Sequence, residues 1–280
     1  MARLSLESIV EAVNDLPAFP TVVTRVIQLT DDPDSTAQDI NNVLNQDQAI
    51  TARVLRLANS AFYGYTRRIN TVTDAVVFMG FKTIRSIVIA ASVSDILNKE
   101  MAGYALEHGE LWRHSQCCAM AARLIARKAK FPALDLAYTA GLLHDIGKVI
   151  LNNTMKESYI DVVERATQGE IPFNEVETEI LGFTHADVGS QVAAKWNLTD
   201  QMVEAIAFHH DPDKATINPK LTAIIHLADA ICVAMGIGIG VDGMLYPMSA
   251  NAMELLGMDE NTIESVINDL SDLLVDQTTI

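Results

Sequence analysis

Gly141-Leu142-Leu143-His144-Asp145-Ile146-Gly147-Lys148 decides how the rest of this chain is read. An apolar helical run, Ala140-Gly141-Leu142-Leu143, ends on an imidazole beside a carboxylate. Polar groups at the mouth of a core helix cost free energy unless something compensates them. A divalent metal does so, because imidazole and carboxylate are the side chains that hold borderline metals. The two neighbours can bind one ion together, and the carboxylate has a second oxygen free to bridge to another. Lys148 follows Asp145 at helical spacing, so its ammonium can face the same site and hold a substrate phosphate.

Working outward, the chain has seven histidines, and only His108 stands apart from a pattern. The pattern runs His114, His144-Asp145, His185, His209-His210 and Asp229, with His226 three residues before Asp229. His209-His210 precedes Asp211-Pro212, at a helix end where side chains can converge on a cleft. Asp229 lies inside the apolar run Ile224 to Val233, where a carboxylate requires a cation or strong donors. One histidine on a helix is usually an ordinary core or surface residue, and His226 is expected to play a structural or supporting part. The ordered set is harder to explain that way. It predicts one or two divalent transition-metal ions, of iron, manganese, nickel or zinc.

Helical period dominates and no strand alternation is seen, so the expected fold is all-α and multi-helical. Helices are expected over 5–14, 20–30, 36–46, 48–58, 72–79 and 81–97. Beyond a more polar stretch, Asn98 to Gly109, they continue over 110–129, 134–151, 156–168, 173–181, 186–195, 200–208, 219–235, 249–256 and 261–275. That stretch is the expected boundary between an N-terminal helical subdomain, 1–100, and a metal-site domain with C-terminal helices, 101–280. Ser35-Thr36-Ala37-Gln38 reads as a capping box, Thr71-Val72-Thr73-Asp74 as a weaker one, and Asn261 with Glu264 as a cap for the last helix. Gly80 is a candidate helix stop. Gly236-Ile237-Gly238-Ile239-Gly240 reads as a flexible loop, since a phosphate-binding reading needs a strand before it and a helix after it.

The 280 residues are 49% hydrophobic with a formal net charge of −16, enough apolar material for a sizeable core. That charge argues against nucleic acid or an anionic membrane as a main partner. A small phosphorylated ligand stays open, because a metal supplies local positive charge. The three cysteines, Cys117, Cys118 and Cys232, read as buried thiols in a reducing compartment. With no signal-peptide core and no membrane-length apolar run, the expected location is the cytoplasm. The acidic last helix is amphipathic and could cover a homodimer surface.

The order H…HD…H…HH…D resembles the HD superfamily of metal-dependent phosphohydrolases, and 141–148 is very similar to that family's central motif. The N-terminal third resembles something narrower. Leu16-Pro17-Ala18-Phe19-Pro20, the run from Asn45 to Ser60 and Thr73-Asp74-Ala75-Val76-Val77-Phe78-Met79-Gly80 together look like an HDOD domain, the HD-related output domain of bacterial signalling proteins. This resemblance implies an N-terminal helical part packed on an HD-like helical domain. It also implies His114, His144, Asp145 and Asp229 on one metal, and Asp145 bridging to a second held by His185, His209 and His210. Asp145 and Lys148 would then be the catalytic pair, in a phosphohydrolase acting on a nucleotide or other phosphoester. HDOD domains often lose their metal ligands, so the other implied function is a non-catalytic module that meets a signalling protein. After the histidine pair comes Asp211-Pro212-Asp213-Lys214-Ala215, without the Gly-Tyr-Pro signature of the related cyclic-dinucleotide phosphodiesterases.

Overall fold

A computed structural model describes residues 19–65, 67–154, 165, 171–238, 240 and 247–278. The described residues form α-helices and short 3-10 turns joined by loops, with no β-strand among them. The helices expected at 5–14 and, but for Arg165, at 156–168 lie outside them. Two compact units are present, one comprising Ile96–Ile267 and the other Pro17–Asp95 with Asn268–Ile280.

The smaller unit contains α1 (Thr21–Asp31), α2 (Ala37–Leu44), α3 (Gln48–Ala58), α4 (Val72–Met79) and most of α5 (Phe81–Leu97). Capping sets their starts. Thr36 accepts from the Asp39 N–H, and the Asp39 carboxylate accepts from the Thr36 N–H, so the capping box sits one residue later than the expected Ser35–Gln38 pair. Thr71 caps α4 through the Asp74 N–H, and Gly80 ends it at φ 81°. The Asn59 side chain takes the Ile69 N–H at 2.8 Å and donates to the Ile69 carbonyl at 2.8 Å. This clamp ties the segment after α3 to the approach of α4.

The larger unit holds α6 (Glu110–Lys128), α7 (Leu134–Leu143), α8 (Ile146–Thr154), α9 (Phe173–Leu181), α10 (His185–Lys195), α11 (Asp200–Ala207), α12 (Pro219–Ala234), α13 (Ala250–Leu256) and the start of α14 (Glu260–Thr278). Every residue of α12 from Leu221 to Val233 is buried, so it is the central helix, packed on α6 and α7. α14 begins at Glu260 with Asp259 accepting from the Thr262 N–H at 2.8 Å, in place of the expected Asn261–Glu264 cap.

One difference from the sequence reading matters for the site. The single helix expected over 134–151 is two, α7 and α8, broken at His144-Asp145. Two glycines explain the position of the break. A Cβ on Gly141 would lie 2.9 Å from the Cys118 carbonyl oxygen, and one on Gly147 would lie 1.9 Å from the His185 carbonyl oxygen. Without side chains there, α7 crosses α6 and α8 crosses α10 at backbone contact. His144 and Asp145 sit at the turn between the crossings.

Candidate metal centre

Four elements deliver the polar side chains to one buried point: α6 brings His114, the α7–α8 turn His144 and Asp145, α10 His185, and α12 Asp229. His209 and His210 follow the end of α11. His144, His185 and His209 are fully buried, and His114, Asp145 and Asp229 are at most 5% exposed. His114 Nε2 lies 3.2 Å from Asp229 Oδ1 and 3.5 Å from Asp145 Oδ2. His144 Nε2 lies 3.4 Å from Asp145 Oδ2 and 3.6 Å from Asp229 Oδ1. The other oxygen of Asp145 faces the other way, 3.4 Å from His185 Nε2 and 3.9 Å from His209 Nε2. His185 Nε2 and His210 Nε2 are 2.9 Å apart. All seven residues of the expected ligand set are therefore brought together, with Asp145 between two groups of imidazoles.

The outward nitrogens explain which atoms face the centre. Nδ1 of His114 donates to the Ile237 carbonyl at 2.9 Å, Nδ1 of His144 to Gly141 at 2.7 Å, and Nδ1 of His209 to Ile206 at 2.7 Å. Nδ1 of His185 meets the Glu177 carboxylate at 2.7 Å. With its proton committed outward, each ring turns Nε2 inward as a lone pair, the arrangement that orients metal-ligating histidines. His144 Nε2, Asp145 Oδ1 and His209 Nε2 are buried with no hydrogen-bond partner. Buried polar atoms are rarely left so, and three converging on one centre fit a cation. Donor atoms lie within 4.8 Å of one another in three overlapping groups: His114, Cys118, His144 and Asp229; His144, Asp145 and His209; and His185, His209 and His210. The cluster could hold a metal.

The electrostatics agree. Burial alone would raise the Asp145 and Asp229 pKa values, but the surrounding histidines, with Lys148 beside Asp145, hold both well below the usual carboxylate range. Burial opposes charge on His114 and His144, yet Asp145 and Asp229 outweigh it and raise both. Glu177 raises His185 in the same way. Burial and the neighbouring imidazoles push His209 down to about 3, and His210 is also well below its ordinary value. His209 is therefore a neutral donor at neutral pH, and a divalent cation would offset the charge of the two carboxylates.

Lys148 lies where its spacing predicts, and its Nζ donates to Asp145 Oδ2 at 2.7 Å. It is 5% exposed, so it is held by the carboxylate inside the fold. His226 behaves as expected of a supporting residue: Nδ1 donates to the His209 carbonyl at 2.8 Å, and Nε2 accepts the Ser249 N–H at 2.9 Å. Arg123 pairs with Asp135 at 3.1 Å.

Three contributors escaped the sequence reading. Glu177 takes the His185 ring and the His185 N–H, and Tyr104 Oη donates to it at 2.8 Å. Glu177 looked like one of several acids on an amphipathic helix, and only its place on the buried face of α9 separates it from Glu175 and Glu179. Tyr104 fell in the polar stretch treated as a boundary. Ile237 lies in the glycine-rich loop read as flexible, yet it is 4% exposed and its carbonyl orients His114. Beside the centre, a groove of about 690 Å³ reaches His210 and is bordered by Glu175, Glu179, Asp187, Asp211 and Lys214.

A family model described as the HDOD domain matches residues 16–212. An uncharacterized protein of Treponema pallidum is 26% identical over 205 residues, which are 73% of this chain and 39% of that protein. This chain thus spans about two fifths of that relative. A solved HDOD domain protein of unknown function from Geobacter sulfurreducens superposes with a TM-score of 0.76 at 27% identity, covering 97% of this chain and 96% of the other. A candidate phosphohydrolase from Shewanella amazonensis does so with a TM-score of 0.74 at 26% identity, covering 96% and 95%.

Proposed function

We propose that this chain, which belongs to the HDOD family, is a bacterial signalling protein that has kept a working HD-type centre and hydrolyses a nucleotide or another phosphoester. The observation that carries this reading is the convergence of His144 Nε2, Asp145 Oδ1 and His209 Nε2, each buried without a hydrogen-bond partner. A chain with no use for a cation would have lost these atoms or given them hydrogen bonds, because each costs about 1–3 kcal/mol of desolvation. The similarity to the Shewanella phosphohydrolase candidate supports the same reading.

His114, His144, Asp145 and Asp229 would hold one ion and His185, His209 and His210 a second, with the two Asp145 oxygens facing the two groups. Such ions supply Lewis acidity to a phosphoryl oxygen and lower the pKa of a coordinated water. The chain's own part is orientation. Nδ1–H donation to Gly141, Ile206, Ile237 and Glu177 keeps four Nε2 atoms aimed inward. Lys148 holds Asp145 Oδ2 and adds the positive charge that would stabilise a transferring phosphoryl group on the inner side.

A second reading, a non-catalytic module with a structural metal that meets another signalling protein, is favoured by the groove. Its rim carries Glu175, Glu179, Asp187 and Asp211 against one lysine, Lys214, itself 2.9 Å from Asp211. That rim repels polyanions. A cytoplasmic site and assembly as a homodimer remain part of the proposal.

The deciding experiment is elemental analysis of the purified protein beside a His144→Ala, Asp145→Ala double variant, followed by a phosphoester screen of the loaded protein. One to two equivalents of a transition metal, absent from the variant, with turnover that the variant lacks, is the expected result. Bound metal without turnover selects the non-catalytic reading. Activity surviving in the double variant would sink the assigned site.

A further inference from the structure

The smaller unit carries a surface that the metal centre does not use. Among the described residues, four of the six large hydrophobic side chains left exposed lie in that unit: Tyr65, Val77, Phe78 and Val275. Single exposed apolar residues are ordinary, so their clustering is what matters. Tyr65 Oη donates to the Phe78 carbonyl at 2.9 Å, which lays the tyrosine against the end of α4. Val77 is 68% and Phe78 47% exposed there. The clamp of Asn59 on Ile69 fixes the segment that follows Tyr65.

Charge gathers at the same place. From Arg53 to Arg85 the chain has six basic residues and one acid, Asp74, although its net charge is −16. Arg53 pairs with Asp95 and Arg85 with Asp31. The other four, Arg56, Arg67, Arg68 and Lys82, are exposed and form no ion pair among the described residues. Arg67 and Arg68 lie just beyond Tyr65, and Lys82 just beyond Phe78 and Gly80. Within the same unit, α14 has the opposite character. From Asn268 onward it belongs to this unit, and Asp269, Asp272 and Val275 are exposed at three-residue spacing, on one face of the helix. Acid beside an exposed aliphatic side chain complements base beside exposed aromatic ones.

We propose that the occupant of the patch is a second copy of this chain. Tyr65, Val77 and Phe78, with Arg67, Arg68 and Lys82, would meet Asp269, Asp272 and Val275 of the other copy. A two-fold pairing forms each of these contacts twice, and it needs both surfaces on one molecule, as they are here. Nucleic acid or an anionic bilayer would also meet the basic residues. Each would spread beyond the patch onto a strongly acidic chain, and α14 would repel it. The inference rests on the homodimer reading and names its surface.

The test is sedimentation of the full chain across concentration and ionic strength. The wild type is expected to dimerise, more weakly as salt rises. Phe78→Asp should raise the dissociation constant roughly tenfold or more, the scale of losing one apolar anchor. Arg67→Glu with Arg68→Glu should weaken the dimer as well, and adding Asp269→Lys with Asp272→Lys should restore it. These side chains are exposed, and a thermal melt of each variant checks that the fold is kept. A dimer indifferent to Phe78→Asp and to charge reversal overturns this surface and leaves the homodimer standing. A dimer weakened by both but not restored by the exchange of charge overturns the pairing with α14. A wild type that stays monomeric overturns the surface and the homodimer together, and touches nothing at the metal centre.

Discussion

At the scale of single residues, the centre is organised by groups that never touch its middle. Glu177 sets the precedent: one buried carboxylate fixes the His185 ring, the His185 N–H and the Tyr104 hydroxyl. Glu177→Gln keeps the size and removes the charge-assisted bond to Nδ1, so metal affinity should fall roughly 10–100-fold, the usual cost of losing such a partner. Competition titration against a chromogenic chelator measures it, and an unchanged affinity would deny Glu177 any part in the centre. His226 is the contrasting case. Both of its nitrogens are spent on backbone, at His209 and Ser249. His226→Gln should therefore lower stability more than metal affinity, which a thermal melt of metal-free protein beside the same titration separates.

At the scale of elements, helix crossings and one carboxylate clamp hold the clustered side chains in register. The α8–α10 crossing depends on Gly147, where a methyl group would meet the His185 carbonyl at 1.9 Å. Gly147→Ala must force the helices apart, and overpacking of this kind costs about 1–3 kcal/mol or more. A lower midpoint in urea, with metal stoichiometry falling alongside, is expected; a native-like variant with full metal would contradict the crossing argument. Between the histidine pair and α12, the Glu204 carboxylate accepts backbone N–H groups of Thr216, Ile217 and Asn218 at 2.6–2.9 Å. Burial alone would raise its pKa, but the N–H groups of Asn218, Ile217 and Thr216 hold it below the ordinary carboxylate value. A folded pKa below the unfolded one adds stability above about pH 4.3, and that contribution disappears as pH falls through the folded value. Glu204→Gln should cost about 1.5–3 kcal/mol at pH 7. The gap from wild type should close in acid below about pH 4, as denaturant melts across pH would record.

At the scale of the whole molecule, a chain of net charge −16 concentrates buried imidazole at one place and leaves acid on its surface. With Asp145 and Asp229 buried side by side in a fold this acidic, a cation bound between them would stabilise the folded state. A metal that binds only the folded state adds about 2.7 kcal/mol at a hundredfold excess over its Kd. Removal by chelation should therefore lower the melting temperature of the wild type and leave the His144→Ala, Asp145→Ala variant unmoved. A wild-type melt indifferent to chelator would show that the centre holds no ion. Among the described residues, no helix is long and apolar enough to cross a membrane.

The all-α class, most helix positions and the membership of the whole histidine–aspartate cluster were legible in the residues, because hydrophobic period and donor chemistry are local properties written into residue type and spacing. The break at His144-Asp145 was not, since Gly141 and Gly147 act through helices 20 to 40 residues away in the chain. The cap at Thr36 in place of Ser35 shows the same limit at short range, where neighbouring hydroxyls compete and packing chooses between them. Glu177, Tyr104 and the Ile237 carbonyl were invisible for a stronger reason: their chemistry is ordinary, and only the approach of α9, the Ala102–Tyr104 turn and the glycine-rich loop to the imidazoles gives it meaning. Sequence order was sufficient to say which atoms can hold a cation. Which of them come together and which rings are turned inward depend on distances between helices, and those are set by packing.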